Sequence, residues 1–155
     1  MSFLYDMTHN YLFMAAVLGW LTAQVIKVII DLLLTKEINW ERLVGSGGMP
    51  SSHSATVCAL MTAAALKCGA ASNEFAICSI LAIIVMYDAR GVRRETGNQA
   101  VVLNQIMDYF TSEHPEKIEF NEENLKELIG HTPLQVVIGA ALGILVGFLT
   151  YPVYR

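Results

Sequence analysis

Four long apolar runs constrain this chain more than any other feature. Residues 11–34 hold only Lys27 and Asp31 as charges. Residues 51–71, 73–90 and 133–151 keep theirs (Lys67, Glu74, Asp88, Arg90) near the ends or have none. A segment of that length and composition satisfies its backbone in a bilayer by forming a helix. Hydrophobic residues make up 54% of the chain and charged residues 15%, with mean hydropathy +0.47, which is membrane-protein composition. The expected fold is all-α: an integral membrane bundle of about four transmembrane helices in a single domain over residues 1–155. The first run is too long for a signal-peptide core and no positive residue precedes it, so it reads as an uncleaved span. The third is strictly apolar only over residues 75–87, apart from Ser79, and is expected to continue through its charged end.

Residues 91–132 form a polar excursion between the third and fourth runs. Residues 108–127 concentrate acids against Lys117 and Lys126, so that stretch belongs in water. Inside the excursion Leu103, Ile106, Met107 and Phe110 recur at i, i+3, i+4, i+7, the pattern of an amphipathic helix lying on the membrane or against the bundle. A shorter helix is expected after Asn121, ending at Gly130. Four crossings put both termini and the Lys67–Glu74 turn on one side, and the polar excursion on the other. Seven Lys and Arg residues fall on the polar side against two on the terminal side. The positive-inside rule therefore places the polar side in the cytoplasm of a bacterial-type cell.

Other classes are poorly served. Net charge is −4 with no basic run, which speaks against nucleic acid as a partner. Cys58, Cys68 and Cys78 form no C-x-x-C pair and suit membrane packing. Gly139, Gly143 and Gly147 form a G-x-x-x-G-x-x-x-G ladder on one face of the fourth run, a close-packing device that offers a surface for a homo-oligomer.

The polar groups embedded in the spans converge on one end. Gln24, Lys27 and Asp31 share a face of the first helix, and Lys27 and Asp31 are an i, i+4 pair. Ionisable groups inside a span default to a functional reading, with a helix-locking pair as the alternative. The second span opens Gly45-Ser46-Gly47-Gly48-Met49-Pro50-Ser51-Ser52-His53-Ser54. A glycine turn leading to a Ser-capped helix start is an anion site in the making, or an ordinary capped helix. His53 in that first turn can shuttle a proton. The third span ends Asp88-Ala89-Arg90, followed by Arg93, whose guanidinium fork matches phosphate. The fourth begins His131-Thr132-Pro133, with Thr132 as N-cap and Pro133 as first helical residue. Two histidines, two helix starts, a lysine and arginines on one face suit phosphate binding and transfer through histidine.

The stretch Gly48-Met49-Pro50-Ser51-Ser52-His53-Ser54-Ala55 resembles the P-S-G-H motif of the type-2 phosphatidic acid phosphatase superfamily of integral membrane lipid phosphatases. Gly130-His131-Thr132-Pro133-Leu134-Gln135-Val136, with Gly139, is similar to its H-x-P-x-D-V-x-x-G segment. With residues 85–93 and 102–106, the chain looks like the divergent branch of that superfamily from about residue 24 to residue 145. The resemblance implies a phosphorylated lipid substrate, His131 as the nucleophile forming a phosphohistidine, and His53 as acid and then base. It also implies a phosphate cradle of Ser51, Ser52 and the glycine-turn amides, with Lys27 or Lys36 and Arg42 adding charge. No cofactor or metal is implied. Ser52 stands in place of the motif Gly, and Gln135 in place of an Asp that orients the nucleophile. Leu125 occupies the place of a motif arginine, for which Arg93 is the substitute. Asp31, Asp88 and Gln135 are the candidates to orient His131. Two other readings remain: a non-catalytic protein that binds phospholipid or assembles with partners, and a metal-dependent lipid phosphotransferase using Asp31 and Asp88.

Overall fold

The computed structural model describes residues 3–36, 48–113 and 131–154. Each long apolar helix starts at a polar residue whose side chain accepts from the amide three positions on. The pairs are Asn10 to Phe13 (3.2 Å), Ser51 to Ser54 (3.3 Å), Ser72 to Phe75 (3.1 Å) and Thr132 to Gln135 (3.4 Å). These caps satisfy donors that the first helical turn leaves open. The helices are α1 (Phe3–His9), α2 (Tyr11–Thr35), α3 (Ser52–Cys68), α4 (Asn73–Arg90), α5 (Val92–Glu113) and α6 (Pro133–Thr150), followed by a 3₁₀ turn at Tyr151–Val153. Gly69 ends α3 at a φ of 90°, which favours glycine, and the chain turns directly into α4.

Helices α2, α3, α4 and α6 fall on the four apolar runs, the second of them ending at Cys68 rather than residue 71. Helix α1 was not anticipated. Among the described residues three helical stretches are long and apolar enough to cross a bilayer: Tyr11–Thr35, Asn73–Tyr109 and Pro133–Val153. Helix α3 has 17 residues, within the range of a short crossing, and is less apolar. Its position explains this. It runs in the middle, packed against α2, α4 and α6, so its neighbours select small residues rather than lipid-soluble ones. Lipid would face the outer surfaces, where Leu33, Ile77, Ile84, Val137 and Leu149 are exposed.

The seams are built from stripes of small side chains. On α2, Ala15, Gly19 and Ala23 are buried at four-residue spacing, and Lys27 continues the stripe. On α6, Gly139, Gly143 and Gly147 are buried at the same spacing. Between the two stripes lies α3. A Cβ on Gly143 would collide with the carbonyl oxygen of Ala55, and one on Gly19 would stand 2.9 Å from the same oxygen. The α6 glycine ladder is thus a seam within the chain, and the expected homo-oligomer loses that surface. The other side of α3 carries Val57 and Cys58, which pack with Ala82 of α4.

In the excursion, α5 confirms the amphipathic helix. Val102, Leu103, Ile106 and Tyr109 are exposed, Met107 is half-buried, and the small face of Gly97, Ala100 and Asn104 is buried. The helix expected from Asn121 to Gly130 lies outside the described residues, as do Leu125 and Phe110's side chain.

Candidate functional site

Helices α2 and α4 end, and α3 and α6 begin, on the same side of the bundle. Backbone hydrogen bonds tie three of these ends together. The Ser51 N–H donates to the Gln135 carbonyl at 3.0 Å, joining α3 to α6, and the His131 N–H donates to the Ala89 carbonyl at 3.1 Å, joining α6 to the end of α4. Gly139 makes the first contact fit, since a Cβ there would collide with the Ser51 carbonyl oxygen. The Gly of the fourth-span motif therefore has a mechanical reason: it lets α6 press onto the residue that caps α3.

These ties bring the two imidazoles together. The rings of His53 and His131 lie 5.7 Å apart, centroid to centroid, edge-on at 63°. His131 is 1% exposed, and its Nε2 and the Nδ1 of His53 are both buried. Beside them, Lys27 Nζ donates to Ser52 Oγ at 3.2 Å, with both side chains 5% exposed. Ser51 and Ser54 are fully buried, the Ser54 hydroxyl donating to Ser51 Oγ at 3.2 Å. The start of α3 carries the positive end of the helix dipole and amides without intrahelical acceptors. The start of α6 is different. Its Thr132 N–H donates to Gln135 Oε1 at 3.0 Å, its Gln135 N–H donates to Thr132 Oγ1, and Pro133 has no N–H. The cap and the proline thus leave the start of α6 fewer first-turn amides than the start of α3, where the cap takes only the Ser54 N–H.

The remaining candidates sort by position. Gln135 Oε1 lies 3.2 Å from His131 Nδ1. Asp31 and Asp88 are half-buried near the ends of α2 and α4. Lys36 is exposed at the C-cap of α2, with a φ of 59°. Arg93 sits in the first turn of α5, its side chain outside the described residues, and Arg42 lies outside them altogether. Among the described residues no three His, Cys, Asp or Glu side chains gather to hold a metal ion, so the pairing of Asp31 with Asp88 as metal ligands finds no third ligand of these types there.

Sequence reasoning missed Ser54 and the small stripe on α2. The signal for the stripe was present: Ala15, Gly19, Ala23 and Lys27 at four-residue steps already put the lysine on the face that meets α3.

Residues 8–146 match the family described as the divergent PAP2 family. The chain belongs to that family. It is also similar to membrane protein YuiD of Bacillus subtilis (strain 168), with 40% identity over 147 residues that cover 90% of this chain and 93% of the relative. No solved structure matches it significantly. The family match spans α2, α3, α4 and α5 and most of α6, so both histidine-bearing helix starts of this divergent PAP2 protein fall inside it.

Proposed function

We propose that the protein is a membrane phosphatase that hydrolyses a phosphorylated lipid through a phosphohistidine on His131. The observation that carries this reading is the placement of two imidazoles 5.7 Å apart next to a buried lysine and a serine-capped helix start. A lipid phosphate is an interfacial anion with a tail that stays in the bilayer, and the site lies among the ends of membrane helices.

In the proposed reaction Lys27, Ser52 and the first-turn amides of α3 hold the phosphoryl oxygens. The Nε2 lone pair of His131 attacks phosphorus while the bond from phosphorus to the lipid oxygen breaks. Protonated His53 gives its proton to the departing oxygen, which leaves as the alcohol. His53, now neutral, takes a proton from water, the resulting hydroxide attacks phosphorus, and the bond from phosphorus to Nε2 breaks to release inorganic phosphate. The site end faces the cytoplasm in this reading, on the balance of seven positive residues against two.

A second reading, head-group binding without turnover, has one observation in its favour: the group on His131 Nδ1 is a neutral amide, which stabilises an imidazolium less than a carboxylate does. Phosphate release separates the two. Detergent-purified protein given phosphatidate, phosphatidylglycerophosphate or prenyl diphosphate should release phosphate from at least one. His53→Ala and His131→Ala should each lower the rate about 100-fold or more. Wild-type turnover in either variant removes that histidine from the mechanism, and binding without release in the wild type establishes the second reading.

A further inference from the structure

We infer that Gln135 is the positioning residue for His131, and that it fixes the imidazole tautomer through the cap of α6 rather than through charge. The inference rests on the phosphohistidine reading for its catalytic meaning. Its geometry begins from a group that can only donate. The Thr132 N–H lies 3.0 Å from the Gln135 side-chain amide, so the oxygen of that amide, not its NH₂, must face it. The same oxygen lies 3.2 Å from His131 Nδ1. An amide oxygen only accepts, so Nδ1 carries the proton and neutral His131 keeps its lone pair on Nε2. That is the nitrogen the proposed attack requires.

Gln135 is held through its backbone as well as through the oxygen of that amide. Turning it over would set NH₂ against the Thr132 N–H and against Nδ1–H. Its own backbone N–H donates to Thr132 Oγ1 at 3.4 Å, and its carbonyl accepts from Ser51 N–H at 3.0 Å. The His131 N–H is fixed on Ala89 at 3.1 Å. Helix cap and tautomer are one device, clamped by α3 and α4 before any substrate arrives. A carboxylate in the same place would also accept from Nδ1–H but would add charge and favour the imidazolium. The neutral amide orients the ring without adding charge beside it.

The test is long-range ¹H–¹⁵N correlation on full-length protein in detergent, ¹⁵N-labelled at histidine, with His131 assigned by its absence in His131→Asn. Neutral His131 should show a protonated Nδ1 and an unprotonated Nε2. Gln135→Leu, which keeps bulk and removes the acceptor, should move the population towards protonated Nε2. Gln135→Glu, a favoured capping-box residue, should keep the Nδ1–H form and raise the midpoint pH of the His131 titration by about one pH unit. An Nε2–H tautomer in the wild type overturns the inference. So does an unmoved midpoint in Gln135→Glu, which decides the matter even if Gln135→Leu fails to fold. A protein that shows this tautomer and this midpoint shift but releases no phosphate counts against the hydrolase reading and supports the positioning role.

Discussion

Lys27 crosses from α2 to α3 to donate to Ser52 Oγ at 3.2 Å, both side chains shut away from solvent. The contact couples the one ionic stripe inside the first span to the residue that precedes His53. It also gives a buried lysine a task beyond locking two helices. A phosphoryl oxygen arriving at the start of α3 would meet the ammonium and the first-turn amides together, so Lys27 should matter to phosphate ester binding. A charge-assisted hydrogen bond contributes about 1.5–3 kcal/mol, so Lys27→Met should lower kcat/KM for the lipid phosphate about 10- to 100-fold. Exposed Lys67, at the far end of α3, is the control, and Lys67→Met should leave turnover unchanged. An equal effect of the two substitutions would remove Lys27 from the site.

The α3/α6 seam predicts a gradient of consequences along the glycine ladder. Alanine at Gly143 forces its Cβ against the Ala55 carbonyl, and overpacking of this kind typically costs about 1–3 kcal/mol. Alanine at Gly139 forces its Cβ against the Ser51 carbonyl, which caps the helix bearing His53. Both variants should melt at lower temperature in detergent by circular dichroism. Gly139→Ala should in addition lose turnover out of proportion to its loss of stability, because the collision falls on the candidate site itself. Alanine at exposed Val137 is the neutral comparison.

How much of this was legible beforehand follows from what apolar periodicity reports. In water, an apolar stripe marks the face that packs. In a bilayer both the packing face and the lipid face are apolar, so hydropathy marked the runs that α2, α4 and α6 occupy without saying which way they face. The ladder on α6 announced a close approach, but its partner, Ser51 through Thr62 of α3, had to be seen. The meeting of His53 and His131 was readable, because four successive apolar helices that alternate in direction leave both helix starts on one side. The double role of Gln135 was not. It depends on one oxygen reaching a backbone amide and a ring nitrogen at once, and spacing carries no information on side-chain rotation. Helix α1 gave no sequence signal because its seven residues lack an apolar run of spanning length.

At the opposite end of the bundle, Tyr11 donates its hydroxyl to the Gly147 carbonyl at 2.6 Å and packs its ring near Tyr151 and Tyr154, with centroids 5.6 and 5.8 Å away. The bond ties the start of α2 to the end of α6. Removing it should destabilise without touching the chemistry. A buried neutral hydrogen bond contributes about 0.5–1.5 kcal/mol net, and the Gly147 carbonyl keeps the Thr150 hydroxyl at 3.2 Å as a second donor. Tyr11→Phe should therefore lower the melting temperature modestly and leave kcat and KM for the lipid phosphate at wild-type values. A loss of turnover in this variant would show that the two ends of the bundle are mechanically coupled.

The sidedness proposed from charge counting is testable on the native cysteines. Cys58 and Cys78 are buried in the α3/α4 region, whereas Cys68 is exposed where α3 ends, on the side opposite His53 and His131. Thiol reagents act on accessible thiolates, so a membrane-impermeant maleimide should label the protein at Cys68 alone. If the site faces the cytoplasm, Cys68 faces outward and labels in intact bacterial cells, and Cys68→Ser abolishes the signal. Labelling that appears only after the membrane is permeabilised would invert the topology. The phosphatase reading would then concern lipids of the outer leaflet, with the two imidazoles unchanged in their relation to each other.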